Sequence, residues 1–213
     1  FIFCDRDTVN RVERMKVTTC LNPLHTALAV CGCLLGYTKI ADEMKDKDLV
    51  KLIKTIGYVE GLPVVTDPGV LVPKEFIDTL VDMRLPNPFM PDTPQRIACD
   101  TSQKSPSRFG ETIKSYMADP ARDPKTLKGI PLTIAAWLRY LLGVDDEGKE
   151  MENSPEPLLG QLNGKLGKVK LGEPESALGQ VEEILDDPTY FGVSLKKAGI
   201  DGIVLAYLMA MLE

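Results

Sequence analysis

One histidine, one tryptophan and five cysteines are scattered through 213 residues. The single imidazole, His25, excludes every metal site that needs two or more histidines, so no metal is expected. The cysteines stand at positions 4, 20, 31, 33 and 99, with no Cys-x-x-Cys spacing and an odd total, a poor disulfide framework. Cys31 and Cys33 are two apart, which on a helix points them about 200° away from each other. They read as buried free thiols, and a reducing, cytoplasmic home follows. Positive charge is also short: 25 Lys and Arg face 31 Asp and Glu, a net charge of −6. That balance argues against nucleic acid and acidic membranes as partners. No apolar run reaches the roughly 20 residues that span a bilayer, because Gly32 and Gly36 interrupt the longest. Nucleotide-binding signatures are missing as well. Gly160, Gly164 and Gly167 have the wrong spacing for a dinucleotide turn, no apolar strand precedes them, and Leu166 follows Gly164-Lys165 where a phosphate loop needs Ser or Thr.

What is present is helical periodicity. Apolar residues make up 44% of the chain, enough for a sizeable core. Asp5 or Asp7 can cap a helix through Val9, Val12 and Met15, and Asn22-Pro23 interrupts or restarts it. Leu24 to Gly36 is apolar on nearly all sides, the mark of a buried helix. Helical spacing recurs at Leu49, Leu52, Ile53 and Ile56, and again after Pro73 at Phe76, Ile77, Leu80 and Val81. Four prolines break the segment 86–94. Helices resume around Arg96, at 108–117, at 130–142 around Trp137, and at 175–185 and 200–212. Residues 143–174 are rich in Gly, Pro and charge and read as a loop excursion. Residues 1–213 are therefore expected to form a single all-α domain.

Two constellations can carry chemistry. The first places Lys16, Asn22 and His25 within ten residues, beside the apolar helix. Asn22 and His25 are three apart and share a helix face. An ammonium whose pKa is depressed by apolar surroundings can exchange a proton with an alcohol or carbonyl oxygen, while neutral donors hold that oxygen. A snorkelling lysine and a structural histidine explain the same residues without chemistry. The second constellation is Arg96 and Lys104, eight apart, which reach one polar ligand together if the helix between them persists. Their forked and point charges suit a polyhydroxylated or carboxylated substrate; surface pairing with Asp92, Asp100 or Glu111 is the other reading.

The wording Lys16 … Asn22-x-x-His25-x-Ala27-Leu28-Ala29 with Gly36-Tyr37, then Asn87-Pro88 … Arg96-Ile97-Ala98 … Asp100-Thr101-Ser102-x-Lys104-x-Pro106, resembles the long-chain mannitol dehydrogenase family. The resemblance covers most of the chain, loosely towards its end. It implies a multi-helix C-terminal domain of the 6-phosphogluconate-dehydrogenase-like type, partnered by an N-terminal Rossmann domain that this chain, opening at Phe1, lacks. It also implies NAD or NADP as cofactor, bound mainly by that other domain, and a sugar acid or polyol as small-molecule substrate. By the same resemblance Lys16 would be the general acid/base, Asn22 and His25 would orient and polarise the reacting oxygen, and Arg96 and Lys104 would bind substrate. Fructuronate/mannonate is the expected pair. A mannitol or other polyol 2-dehydrogenase is the alternative within the family, and a non-enzymatic helical interaction domain the alternative outside it.

One departure stands out. Family members place the lysine five residues before the asparagine; here the spacing is six. An extra residue rotates what precedes it by about 100°, unless a π-bulge absorbs it. Either such a bulge lies between Lys16 and Asn22, or Lys16 has left the site.

Overall fold

A computed structural model describes residues 5–213. Cys4 lies outside the described residues. Among the described residues the chain is helical, with two isolated β-bridges and no strand, as an all-α reading requires.

Helix α1 (Arg6–Met15) starts where the Asp5 carboxylate accepts the Thr8 amide at 2.8 Å. That carboxylate satisfies one of the free N–H groups of the first turn. The chain continues through a π-helical segment, Lys16–Cys20, into α2 (Asn22–Leu34), with Pro23 in the first turn of α2. Helix α2 is the core element. Leu24, Ala27, Leu28, Ala29 and Val30 have no solvent exposure, because residues around the whole circumference are apolar. By length and composition the helical run Arg6–Leu34 could cross a membrane, yet 78% of its apolar window is buried inside the fold.

Around α2 are wrapped α3 (Ile40–Glu43), α4 (Lys47–Lys54) and α5 (Pro73–Thr79), the last two extended by π segments at Thr55–Gly61 and Leu80–Arg84. Next come α6 (Pro94–Ala98) and α7 (Thr101–Ser105), which runs on through a π segment (Pro106–Gly110) into α8 (Glu111–Ala118). Helix α9 (Gly129–Tyr140) closes the core from the other side, where Trp137 packs edge-on to Phe191 at 5.9 Å. Its first turn is capped from a distance. Buried Glu60 accepts the amides of Lys128, Gly129 and Ile130. Buried Arg139 fastens the far end of α9 by donating to the carbonyls of Val144, Asp145 and Met211.

Several sequence expectations need correction. The segment 143–174 holds a helix, α10 (Leu159–Leu166), because Leu162 and Leu166 are buried on one side of it. Residues 175–185 are not one helix. A 3-10 turn at Pro174–Ala177 and α11 (Glu182–Asp186) are separated by Gly179, whose φ of +73° ends helical propagation. The short helices α12 (Pro188–Phe191) and α13 (Leu195–Ala198) lead to α14 (Asp201–Met211), which packs along α9. Cys20, Cys31 and Cys33 are buried free thiols, and burial pushes each up to about 12. Cys99 is free but only partly buried.

Candidate functional site

The extra residue between Lys16 and Asn22 is taken up locally. The Leu21 amide donates to the Lys16 carbonyl at 3.0 Å, an i to i+5 bond that widens the turn. The Thr18 hydroxyl donates back to the Arg14 carbonyl at 2.8 Å and steadies the widened turn. Leu21 then leaves helical geometry, with φ −128° and ψ −65°, and α2 begins at Asn22. Lys16 is half-buried, with its Nζ 5.8 Å from the centre of the Phe76 ring. That contact is a cation–π interaction with α5 rather than an ion pair.

His25 projects from the first turn of α2 into a small pocket that it shares with Leu21, Arg84, Leu85, Asn87 and Asp92. The pocket holds about 30 Å³, room for a single water. The His25 side chain is 17% exposed, yet its Nε2 atom is buried and has no hydrogen-bond partner. Asp92 Oδ2 is 3.6 Å from it, too far for a hydrogen bond. Desolvation holds the imidazole below its ordinary pKa of 6.5. The Asp92 charge pushes the other way, and Arg108, Arg96 and Arg84 add to the lowering. The lowering favours the neutral ring near pH 7, with Nε2 unpartnered among the described residues.

Of the five residues singled out from the sequence, the structure gathers some and separates others. His25 and Arg96 meet at Asp92, whose second oxygen pairs with the exposed Arg96 guanidinium. Asn22 begins the same helix as His25, half-buried. Lys104 does not share a helix with Arg96. Helix α6 stops at Ala98, Asp100 adopts a left-handed φ of +53°, and a new helix starts at Thr101. Lys104 folds back across this break to donate to the Cys99 carbonyl. Lys16 hydrogen-bonds to neither Asn22 nor His25.

Two further cations near His25 were passed over in the sequence. Arg84 ends the π segment after α5 and lines the pocket. Arg108 reaches α2 from the π segment after α7, one turn beyond Lys104. The one available signal was the four-residue step from Lys104 to Arg108; without tertiary contacts it reads as ordinary surface charge. Among the described residues no strand leads into a glycine-rich turn.

Comparison with known proteins agrees with this architecture. The family model described as mannitol dehydrogenase C-terminal domain matches residues 8–198. The chain is 59% identical over 196 residues to D-mannonate oxidoreductase of Thermotoga maritima, covering 92% of this chain and 36% of that protein. It is 31% identical over 172 residues to polyol:NADP oxidoreductase of Gluconobacter oxydans, covering 81% and 34% respectively. The structure of Pseudomonas fluorescens mannitol 2-dehydrogenase, a ternary complex with NAD and D-mannitol, superposes with a TM-score of 0.77 at 25% identity. That superposition covers 96% of this chain and 38% of the other. The chain thus spans little more than a third of the length of the relatives it matches. An all-α fold and a family match across residues 8–198 agree: the chain belongs to the mannitol dehydrogenase family, as its C-terminal domain.

Proposed function

We propose that this chain is the substrate-binding, catalytic C-terminal portion of an NAD(P)-dependent oxidoreductase that interconverts mannonate and fructuronate. The observation that carries the reading is the 59% identity to a D-mannonate oxidoreductase over 92% of the chain. The charge of the site supports it. Arg84, Arg96 and Arg108 all act on His25, and Asp92 is the one carboxylate that acts with them. Such an excess of positive charge favours an anionic sugar acid over a neutral polyol.

In this reading Lys16 delivers a proton to the ketone oxygen during reduction and removes it during oxidation. Asn22 and the neutral His25 hold that oxygen as charge develops on it. The unpartnered Nε2 of His25 supports the assignment, since a buried polar atom without a partner is costly until a ligand fills it. Arg96 and Lys104 bind substrate hydroxyls or carboxylate, Arg96 after exchanging part of its contact with Asp92. A bound nicotinamide, NAD or NADP, supplies the hydride and is held mainly by an N-terminal Rossmann domain. The buried free thiols support a reducing, cytoplasmic setting.

A second reading, a mannitol or other polyol 2-dehydrogenase, is favoured by the likeness to the mannitol 2-dehydrogenase structure. The interaction-domain reading is not retained, because the relatives are named oxidoreductases. Turnover of fructuronate, tagaturonate and fructose by the full-length protein, with NADH and NADPH, separates the two enzyme readings. Preference for fructuronate is expected. Preference for fructose would overturn the sugar-acid reading.

A further inference from the structure

Arg108 is an arginine without a counter-ion in a place where one is expected. Arg14 pairs with Glu111, Arg96 with Asp92, Arg122 with Asp119, and Arg139 with Asp146. Arg108 pairs with no carboxylate among the described residues, although it is partly buried. Desolvation weakens its hold on its proton, bringing it down to about 10. Removing a cation from water without an opposing charge is unfavourable. The position is also specific. Nη1 of Arg108 donates to the Thr26 hydroxyl at 2.5 Å, and that hydroxyl donates to the Asn22 carbonyl at 2.8 Å. Thr26 and Asn22 are one helical turn apart, so Arg108 lies over the same face of α2 that presents Asn22. Its charge is felt at His25. The contact with Thr26 occupies one of the five guanidinium donors. Pinning Thr26 alone would need only a neutral donor.

We propose that Arg108 is the carboxylate anchor of this site: the guanidinium donors that Thr26 does not use bind the acid group of the substrate, while Thr26 fixes its position. The proposal rests on the sugar-acid reading above and names the group that recognises the acid. A neutral polyol would leave the guanidinium desolvated and unpaired, so the same residue selects against it.

The matched pair mannonate and mannitol, which differ by a carboxylate against a hydroxymethyl group, tests this in the full-length enzyme. Arg108→Gln keeps a donor for Thr26 and removes the charge. It is expected to raise KM for mannonate about 10- to 100-fold, in line with a lost charge-assisted pair, and to leave KM for mannitol unchanged or lower. Arg108→Lys, a point charge without the fork, is expected to lose less. Thr26→Val, which releases the guanidinium from its positioning contact, is expected to raise KM for mannonate more than KM for mannitol. Equal losses on both substrates in Arg108→Gln, or no loss, would overturn the proposal. Calorimetric titration of mannonate into wild type and Arg108→Gln separates this outcome from failure of the parent reading. If wild type fails to turn over mannonate but binds it, and Arg108→Gln does not, the anchor stands without the proposed reaction. Identical affinities, or no binding to wild type, would overturn the anchor itself.

Discussion

His25 and Asp92 face each other across the site pocket, with Nε2 and Oδ2 3.6 Å apart. Asp92 is the carboxylate that opposes desolvation and three arginines in setting the charge of the ring. Because His25 is the only histidine in the sequence, its ring protons give one unambiguous NMR titration. The expected midpoint lies below 6.5, and Asp92→Asn is expected to move it lower still. The native state then binds fewer protons than the unfolded chain just below pH 6.5. His25 therefore withdraws stability as pH falls from 6.5 through its native midpoint. A midpoint that rises in Asp92→Asn would contradict this electrostatic account.

Lys16 supplies the sharpest test of the widened turn. In the full-length enzyme Lys16→Ala is expected to lower kcat by about 10²- to 10⁴-fold, the usual yield of general acid–base catalysis. Deleting Thr19 should convert the π segment into regular helix and keep Lys16 in register with Asn22, because the surplus residue and the bulge that absorbs it go together; kcat is then expected to be largely retained. Near-normal kcat in Lys16→Ala would remove Lys16 from the mechanism.

Glu43 is fully buried with neither carboxylate oxygen hydrogen-bonded, and burial pushes its pKa up to about 9. The native state holds its proton where the unfolded chain, with a value near 4.5, releases it. Its contribution is complete below pH 4.5 and is lost as pH rises towards 9. Glu43→Gln is expected to flatten urea-melt stability across that window and to stabilise the protein at pH 8 by at least about 1 kcal/mol. Gly32 offers an independent check, since a Cβ there would stand 2.0 Å from Glu43 Oε1. Gly32→Ala is expected to cost about 1–3 kcal/mol by overpacking, and less when combined with Glu43→Ala. An unchanged pH dependence in Glu43→Gln would show that the carboxyl ionises freely in the native state.

Glu60 caps α9 through three backbone amides from nearly seventy residues away in sequence. Glu60→Ala leaves those donors buried without partners and is expected to cost about 2–4 kcal/mol in denaturant melts. A loss below about 0.5 kcal/mol would mean that the first turn of α9 finds other partners.

Much of the fold was readable because it depends on local periodicity. The all-round apolar character of Leu24 to Gly36 marked the central helix, and Asp5, Pro23 and Pro73 marked helix starts, Asp5 by a side-chain cap and the two prolines by their place in the first turn. The six-residue spacing from Lys16 to Asn22 left two outcomes, a π segment or a displaced Lys16, and the structure has the π segment. Position 100 was less legible. A left-handed aspartate between Arg96 and Lys104 follows from how Thr101 and Ser102 are anchored, with Ser102 bonded to Glu156. The helix α10 was hidden by its glycines, because burial of Leu162 and Leu166 supplies what their propensity lacks.

The sequence by itself determined the helical class, the core helix and the wording around Asn22 and His25 that resembles the family. All of these are set by neighbours within one or two helical turns. Tertiary structure alone decided that Arg84 and Arg108 surround His25, that Arg108 reaches Thr26 without a counter-ion, and that Glu60 caps a distant helix. Those contacts join residues tens of positions apart. Charge and burial at such points depend on what the folded chain brings within a few ångströms, and no local periodicity encodes that.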